Sequence, residues 1–211
     1  MKKVILTCLC AAFLNSAFAQ SYKETFDSNS LEWTERAYKN GDGNAVIKDG
    51  KMYLSSMETK YFQSNSFVRN VSYTNFETHC YAPIDVTKPF KITAKTFSKG
   101  IKDGRLVGMV INYKDDGNYY FFAIDEDAIY FMRYENYAYV GGVTQGLKWE
   151  SKKTNVQIWE LESNGSTLTF LLNGAPMLNI RYMPLVYSGF GFVTRGATTL
   201  TIDEVEFTQL R

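Results

Sequence analysis

Cysteine and histidine are scarce in this chain. The 211 residues include three cysteines and a single histidine, His79. Two of the cysteines lie at positions 8 and 10, inside an N-terminal segment with the features of a cleaved leader. The remaining one, Cys80, has no partner for an internal disulfide, so the fold must depend on its core. Adjacent residues of a strand face opposite ways, so His79 and Cys80 form neither a catalytic pair nor a zinc site.

The sequence also lacks an apolar run long enough to span a bilayer. Its first segment has two lysines, an apolar stretch at 4–14 and the small-x-small sequence Ala17-Phe18-Ala19. This pattern predicts a secretory signal peptide over residues 1–19, cleaved between Ala19 and Gln20. A lipoprotein signal is the weaker alternative, because too little apolar sequence precedes Cys8 or Cys10. The protein is predicted to be secreted and to be periplasmic or extracellular.

An excess of either charge is absent as well. The formal net charge is +1, and it becomes −1 when Lys2 and Lys3 leave with the leader. A near-neutral protein has no electrostatic footprint for nucleic acid or for an anionic membrane. The composition therefore predicts no nucleic-acid partner and no membrane insertion.

Proline is rare, with four residues, whereas tyrosine, phenylalanine and glycine occur fifteen times each. This composition favours strands and turns. Strand, turn and strand are predicted at 106–113, 115–118 and 119–124, and again at 156–162, 163–165 and 167–172. Asn173-Gly174 is a strong hairpin signal. Turn signals recur about every ten residues, so one all-β domain is predicted over residues 20–211.

Seven segments together resemble the concanavalin A-like jelly-roll superfamily, which includes laminin-G-like lectin domains and family-16 glucanases. The segments are TFDSNSLEW (25–33), IKDGKMYLSS (47–56), VSYTNFE (71–77), DDGNYYFFAI (115–124), TLTFLLNG (167–174), GFGFVTRG (189–196) and TLTIDEVEF (199–207). The resemblance implies a sandwich of two antiparallel sheets. It says less about activity, because one fold hosts many functions.

Family-16 glucanases carry catalytic carboxylates in the pattern Glu-x-Asp-x-Glu on one strand. The acidic segment of this chain departs from that pattern, because Thr201 and Val205 flank Asp203 at the partner positions. The apolar residues also change phase near Asp203–Glu204, which predicts a β-bulge that returns Val205 and Phe207 to the core. The segment is therefore predicted not to be catalytic, and no catalytic residue is assigned.

Asp203 has a second interpretation as a calcium ligand. The resemblance implies a structural calcium site formed by Asp203, a carbonyl near Phe26–Asp27 and Gly50. Calcium prefers several oxygen ligands, including carbonyls. The alternative is that Asp203 caps the bulge by bonding neighbouring N–H groups. Calcium is the only candidate cofactor.

Aromatic and polar residues cluster between Met132 and Gly142 and predict a sugar-binding site. Sugars bind through C–H faces on aromatic rings and through planar polar side chains. The predicted ligand-binding residues are Tyr119, Arg133, Tyr134, Tyr137, Tyr139 and Trp149. The alternative is that these rings only pack over the rim of the sandwich.

Three functions are open on this basis. The first is a secreted, non-catalytic, lectin-like protein that binds a glycan. The second is a structural or protein-interaction module of the bacterial envelope, with an envelope protein as partner. The third is a glycoside hydrolase with a non-standard pair of carboxylates, for which the residues to examine are Glu77, Asp103, Asp125 and Glu135. The sequence favours the first and leans against an enzyme.

Overall fold

The computed structural model describes residues 20–37, 43–60, 71–73, 75–101, 105–146, 156–181 and 184–211, with side chains left out at 58–60, 71–73 and 75–76. The described residues form strands, turns and bends. None of them belongs to a helix that could cross a membrane.

Within these described residues, seventeen strands build two large antiparallel sheets and one small one. A nine-stranded sheet has the order β15-β14-β13-β8-β17-β4-β3-β2, with β1 also paired to β17, and a six-stranded sheet has the order β12-β11-β10-β9-β16-β7. Strands β5 and β6 form the third sheet. The strands are β1 (Gln20–Glu24), β2 (Arg36–Ala37), β3 (Gly43–Lys48), β4 (Lys51–Ser56), β5 (Glu58–Lys60), β6 (Val71–Tyr73), β7 (Asn75–Tyr81), β8 (Phe90–Lys99), β9 (Leu106–Asp115), β10 (Asn118–Ile124), β11 (Ala128–Glu135), β12 (Ala138–Gly146), β13 (Val156–Ser163), β14 (Thr167–Leu172), β15 (Ala175–Arg181), β16 (Gly189–Arg195) and β17 (Thr198–Gln209). The predicted jelly-roll sandwich of the concanavalin A-like type is confirmed.

The predicted hairpins are present. Strands β9, β10 and β11 are consecutive antiparallel neighbours, as are β13, β14 and β15. At the last of these turns Asn173 and Gly174 both have positive φ, at 52° and 77°. Two successive positive φ values belong to the tight turn whose twist matches that of a hairpin.

The main core lies between the two large sheets. Alternation along β17 buries Leu200 and Ile202 and then, after a register shift at Asp203, Val205 and Phe207. The predicted bulge is therefore confirmed. It keeps four apolar side chains of one strand on the core face, although their spacing in the sequence changes by one residue.

The six-stranded sheet carries a second apolar cluster on its outer face. Its buried members are Leu106, Val110, Tyr113, Tyr119, Phe121, Ala123 and Val193. Their alternate neighbours on the same strands, such as Met109 and Phe192, belong to the main core. Both faces of this sheet are thus apolar, and the outer face holds the polar group described next.

Candidate functional site

Strand β7 presents an acid and a base on the outer face of the six-stranded sheet. Glu77 is opposite Val193 of the outer cluster, and His79 follows two residues later on the same face. Thr78 and Cys80 point the other way, towards the main core. Gly191 lies beside His79, and a β-carbon there would come within 2.0 Å of the Thr78 carbonyl oxygen. The strands therefore approach closely where these side chains are displayed.

The turn between β9 and β10 brings a second carboxylate, that of Asp116, next to Glu77. The Asp115 carboxylate sets the turn by accepting hydrogen bonds from Gly117 N at 2.9 Å and Asn118 Nδ2 at 2.7 Å. This turn positions Asp116, which accepts a hydrogen bond from the hydroxyl of Tyr113 at 2.5 Å. Asp116 also interacts with Glu77 by a side-chain hydrogen bond and by charge.

The segment before β2 supplies a cation and fixes β7. The Thr34 amide donates to the carbonyl of His79 at 2.9 Å, and the Thr78 hydroxyl donates to the Thr34 carbonyl at 2.7 Å. Two residues on, Arg36 Nη2 lies 3.6 Å from Asp116 Oδ1. We call Glu77, Asp116, Tyr113, His79 and Arg36 the acidic site. Its members come from three separate parts of the chain.

Burial and charge make Glu77 a weak acid. Only 9% of Glu77 is exposed, and its Oε2 atom has no hydrogen-bond partner within the described part of the chain. Burial raises the pKa of Glu77 to about 7, helped by the charge of Asp116 and opposed by Arg36. One of two adjacent carboxyl groups is thus held in its protonated form into the neutral pH range. A carboxylic acid in that state can donate a proton.

The neighbouring groups are held neutral. Burial, followed by the charge of Arg36, lowers the pKa of His79. Burial, followed by the hydrogen bond to Asp116, raises the pKa of Tyr113. The imidazole stacks on the Tyr113 ring with centroids 3.9 Å apart, and its Nε2 is 3.1 Å from the Thr34 hydroxyl. Its Nδ1 is buried and has no hydrogen-bond partner among the described residues.

Four of the predicted sugar-binding residues, Tyr119, Tyr134, Tyr137 and Tyr139, lie on or beside strands β10 to β12, towards the opposite edge of the same sheet from β7. Ring centroids are 6.4 Å apart between Tyr113 and Tyr119, 5.3 Å between Tyr119 and Tyr134, and 6.0 Å between Tyr134 and Tyr139. Tyr137 packs against the turn that carries Asp116, because its amide donates to Gly117 O at 3.0 Å. A row of rings therefore links the acidic site to β12.

These rings differ in how far they are open to solvent. Tyr119 is buried, whereas Tyr137 and Tyr139 are 78% and 59% exposed. Only the exposed rings can stack on a sugar. The predicted cluster thus has a packing half and an accessible half.

The other predicted residues lie elsewhere. Arg133 is on the inner side of β11, over the Tyr120 ring at 5.7 Å, and pairs with Glu135 at 3.0 Å. Asp125 is buried and accepts hydrogen bonds from two backbone amides and the Tyr130 hydroxyl, so its role is to hold a turn. Trp149 and Asp103 lie outside the described residues.

The proposed calcium ligands are only partly brought together. A β-carbon at Gly50 would lie 3.2 Å from Asp27 Oδ1, so these two residues are neighbours. The Asp203 carboxylate, however, is bonded by two ammonium groups, those of Lys51 and of Lys95, the latter at 2.6 Å. Within the described ranges no three His, Cys, Asp or Glu side chains form a metal-binding group. Two bound lysines do not fit a carboxylate that must ligate Ca²⁺, and calcium binding stays a prediction.

We expect chelation to leave the protein's thermal stability unchanged, and Asp203→Asn to lower it by about 1 kcal/mol through loss of the two ion pairs. Hydrogen bonds from Lys51 and Lys95 lower the pKa of Asp203. Its contribution is therefore present above the ordinary aspartate pKa and is lost as the pH falls through the lowered value. Melting curves with calcium, with chelator and in acid measure this. A rise in Tm on adding calcium that Asp203→Asn abolishes would instead establish the metal site.

The sequence indicated Glu77 among the carboxylates to examine, but it placed Asp116 in a hairpin turn and did not indicate Tyr113 or Arg36. The alternation Glu77, His79, Tyr81 along a strand was the one signal present, because it places an acid and an imidazole on one face.

No family model matches the chain, and no curated protein matches it. Solved structures share its fold. A β-glucanase of Bacillus licheniformis is 14% identical with a TM-score of 0.56, over 90% of this chain and 98% of that one. A lichenase from a mouse hindgut metagenome is 16% identical with a TM-score of 0.56, over 90% and 99%. The laminarinase catalytic domain of Thermotoga maritima is 10% identical with a TM-score of 0.59, over 92% and 99%.

These structural neighbours correct one prediction. They are mostly glycoside hydrolases, so they support the hydrolase alternative over the non-catalytic, lectin-like protein that the sequence favoured. The earlier preference rested on the missing Glu-x-Asp-x-Glu pattern within a single strand. A carboxyl pair assembled from a strand and a turn leaves no such pattern.

Proposed function

We propose that this protein is an exported glycoside hydrolase whose acid group is Glu77. The observation that supports this most directly is the buried Glu77 carboxyl group, with a pKa of about 7, in contact with Asp116. Glycoside hydrolysis needs a carboxylic acid that is still protonated at working pH and a second carboxylate that stays charged. The acidic site supplies a protonated carboxyl group at Glu77, with the carboxyl group of Asp116 beside it.

In the proposed reaction Glu77 gives its proton to the glycosidic oxygen as the bond from the anomeric carbon to that oxygen breaks. The negative charge of Asp116 stabilises the positive charge that develops on the sugar ring. A water molecule then adds to the anomeric carbon and returns a proton to the carboxyl pair. Glu77 and Asp116 thereby regain their starting protonation state.

The remaining groups hold the site in place. Arg36 and the Tyr113 hydroxyl both contact Asp116, so they fix its orientation. The exposed rings of Tyr137 and Tyr139 can stack on sugar units farther along the chain. The substrate is accordingly proposed to be a polysaccharide that crosses the six-stranded sheet.

The test is a digestion screen. The names of the structural neighbours supply its first substrates: a β-1,3-glucan, a β-1,3-1,4-glucan and mucin O-glycans. New reducing ends and product sizes are measured for the natural protein, for Glu77→Gln and for Glu135→Gln. The last is a matched control, because Glu135 is exposed and pairs with Arg133 away from the acidic site.

We expect the natural protein and Glu135→Gln to cleave at least one polysaccharide and Glu77→Gln to cleave none. The proposal is wrong if no glycan is cleaved, or if Glu77→Gln cleaves as fast as the natural protein.

A further inference from the structure

Strand β12 is an exposed sheet edge. It ends the order of the six-stranded sheet, and its paired strand is β11. Eight of its nine residues are exposed and the ninth is partly exposed. An edge strand presents a row of backbone N–H and C=O groups that can pair with another strand.

Two of the usual protections of an edge are missing from β12, although one bulge between Tyr139 and Gly141 interrupts its pairing with β11. Its sequence, AYVGGVTQG, contains no charged residue and no proline. Strand β15, which ends the nine-stranded sheet, carries both Pro176 and Arg181. Charges and prolines are among the devices by which proteins keep edges from pairing. Among the described sheet ends, β12 has the composition of a strand that pairs.

The surface of β12 has a protrusion and a matching gap on the same face. Val143 is opposite Phe131 and Gly141 is opposite Arg133, so both are on the inner side of the sheet. Val143 is 45% exposed, and no atom would lie within 4 Å of a β-carbon at Gly141. Both residues line a groove of about 510 Å³ that is also bordered by Phe131 and Ile180 and by two arginines, Arg133 and Arg181. The exposed side chain of Val143 is thus two residues from Gly141, where there is open space for a side chain.

We propose that β12 pairs with β12 of a second copy of this chain, antiparallel and about a two-fold axis at Gly142. This axis places Val143 of each copy beside Gly141 of the other, so that each valine fills the partner's gap. The strand is neutral, so its self-pairing opposes no like charges. Pairing centred on Gly142 would join two six-stranded sheets into one. A two-fold contact of this kind uses one patch twice, which is the commonest arrangement in homodimers.

The proposal is independent of the hydrolase assignment, because its test needs no glycan. The molar mass of the purified protein is measured by sedimentation equilibrium over a range of concentrations, for the natural chain, Val143→Lys and Val186→Lys. Val186 is the control, since it is 68% exposed and lies outside the strands. Hydrogen exchange of residues 138–146 is followed over the same concentrations.

We expect the natural protein and Val186→Lys to approach twice the monomer mass with similar dissociation constants. Val143→Lys should raise the dissociation constant at least about tenfold, and β12 amides should gain protection as the concentration rises. A natural protein that stays monomeric up to about 1 mM would overturn the proposal. So would a dimer that Val143→Lys leaves intact, because another surface would then hold it.

Discussion

Glu77→Gln should lower the rate of glycan cleavage by at least about a hundredfold, and by as much as ten-thousandfold, while the protein stays folded. Glutamine has nearly the same shape as glutamic acid but has no proton to give to the leaving oxygen. Its amide can still meet the neighbouring Asp116, so the local packing changes little. The loss should therefore appear in kcat, with KM altered far less.

The natural protein should also show a pH signature of Glu77. Activity should fall as the pH rises through about 7, where the raised pKa of Glu77 places the loss of its proton. Removing the charge in Asp116→Asn should move that fall to lower pH, because the second cause of the raised pKa is then gone. A profile that keeps its position in Asp116→Asn would contradict the coupling of the two carboxyl groups.

The free energy of unfolding should fall as the pH rises, because the pKa of Glu77 is higher in the folded than in the unfolded chain. The folded state holds the Glu77 proton to about pH 7, whereas the unfolded chain releases it near its ordinary value of 4.5. The stabilisation is complete below pH 4.5 and declines as the pH rises towards 7, by about 3 kcal/mol in total. Glu77→Gln should remove this decline. Urea unfolding of both proteins at pH 5 and pH 8 gives the change in the free energy of unfolding between the two pH values. An equal change in the natural protein and in Glu77→Gln would refute the prediction.

The fold could be predicted from local rules that operate over a few residues. Alternation along β17 and its change of phase at Asp203 were visible in the sequence, and so was the tight turn at Asn173-Gly174. Such signals survive because burial and turn geometry act on neighbouring residues. Strand β12 gave no such signal, because its exposed residues have no alternating pattern of burial.

The acidic site depends on contacts that no local rule describes. Glu77 lies about forty residues from Arg36 and from Asp116 in sequence, and each of the three alone has an ordinary surface interpretation. Their meeting requires β7 to lie at one end of the six-stranded sheet, where the segment before β2 crosses from the other sheet. The sequence showed the acid on β7 but could not show which turn would fold over it.

Trp33 is the residue that ties this crossing segment to the core, and Trp33→Ala should destabilise the protein by about 3–5 kcal/mol. The indole is 2% exposed. Its ring centroid is 5.5 Å from that of Phe26, 6.2 Å from Phe190 and 5.8 Å from Phe192, the last in a stacked arrangement. Alanine would leave a large cavity among these three rings, and the surrounding sheets are too rigid to close it.

The effect should reach the acidic site, because Thr34 and Arg36 directly follow Trp33 along the chain. Urea unfolding measures the loss, with Tyr137→Ala, at a 78% exposed position, as the control expected to change stability little. Trp33→Phe separates packing from polarity. The indole Nε1 is buried without a partner in the described residues, so phenylalanine restores much of the packing and removes an unpaired donor. Trp33→Phe should therefore recover most of the stability and of the activity per folded molecule. If Trp33→Ala loses less than about 1 kcal/mol, the segment must be held by its backbone bonds to β7, and not by the indole.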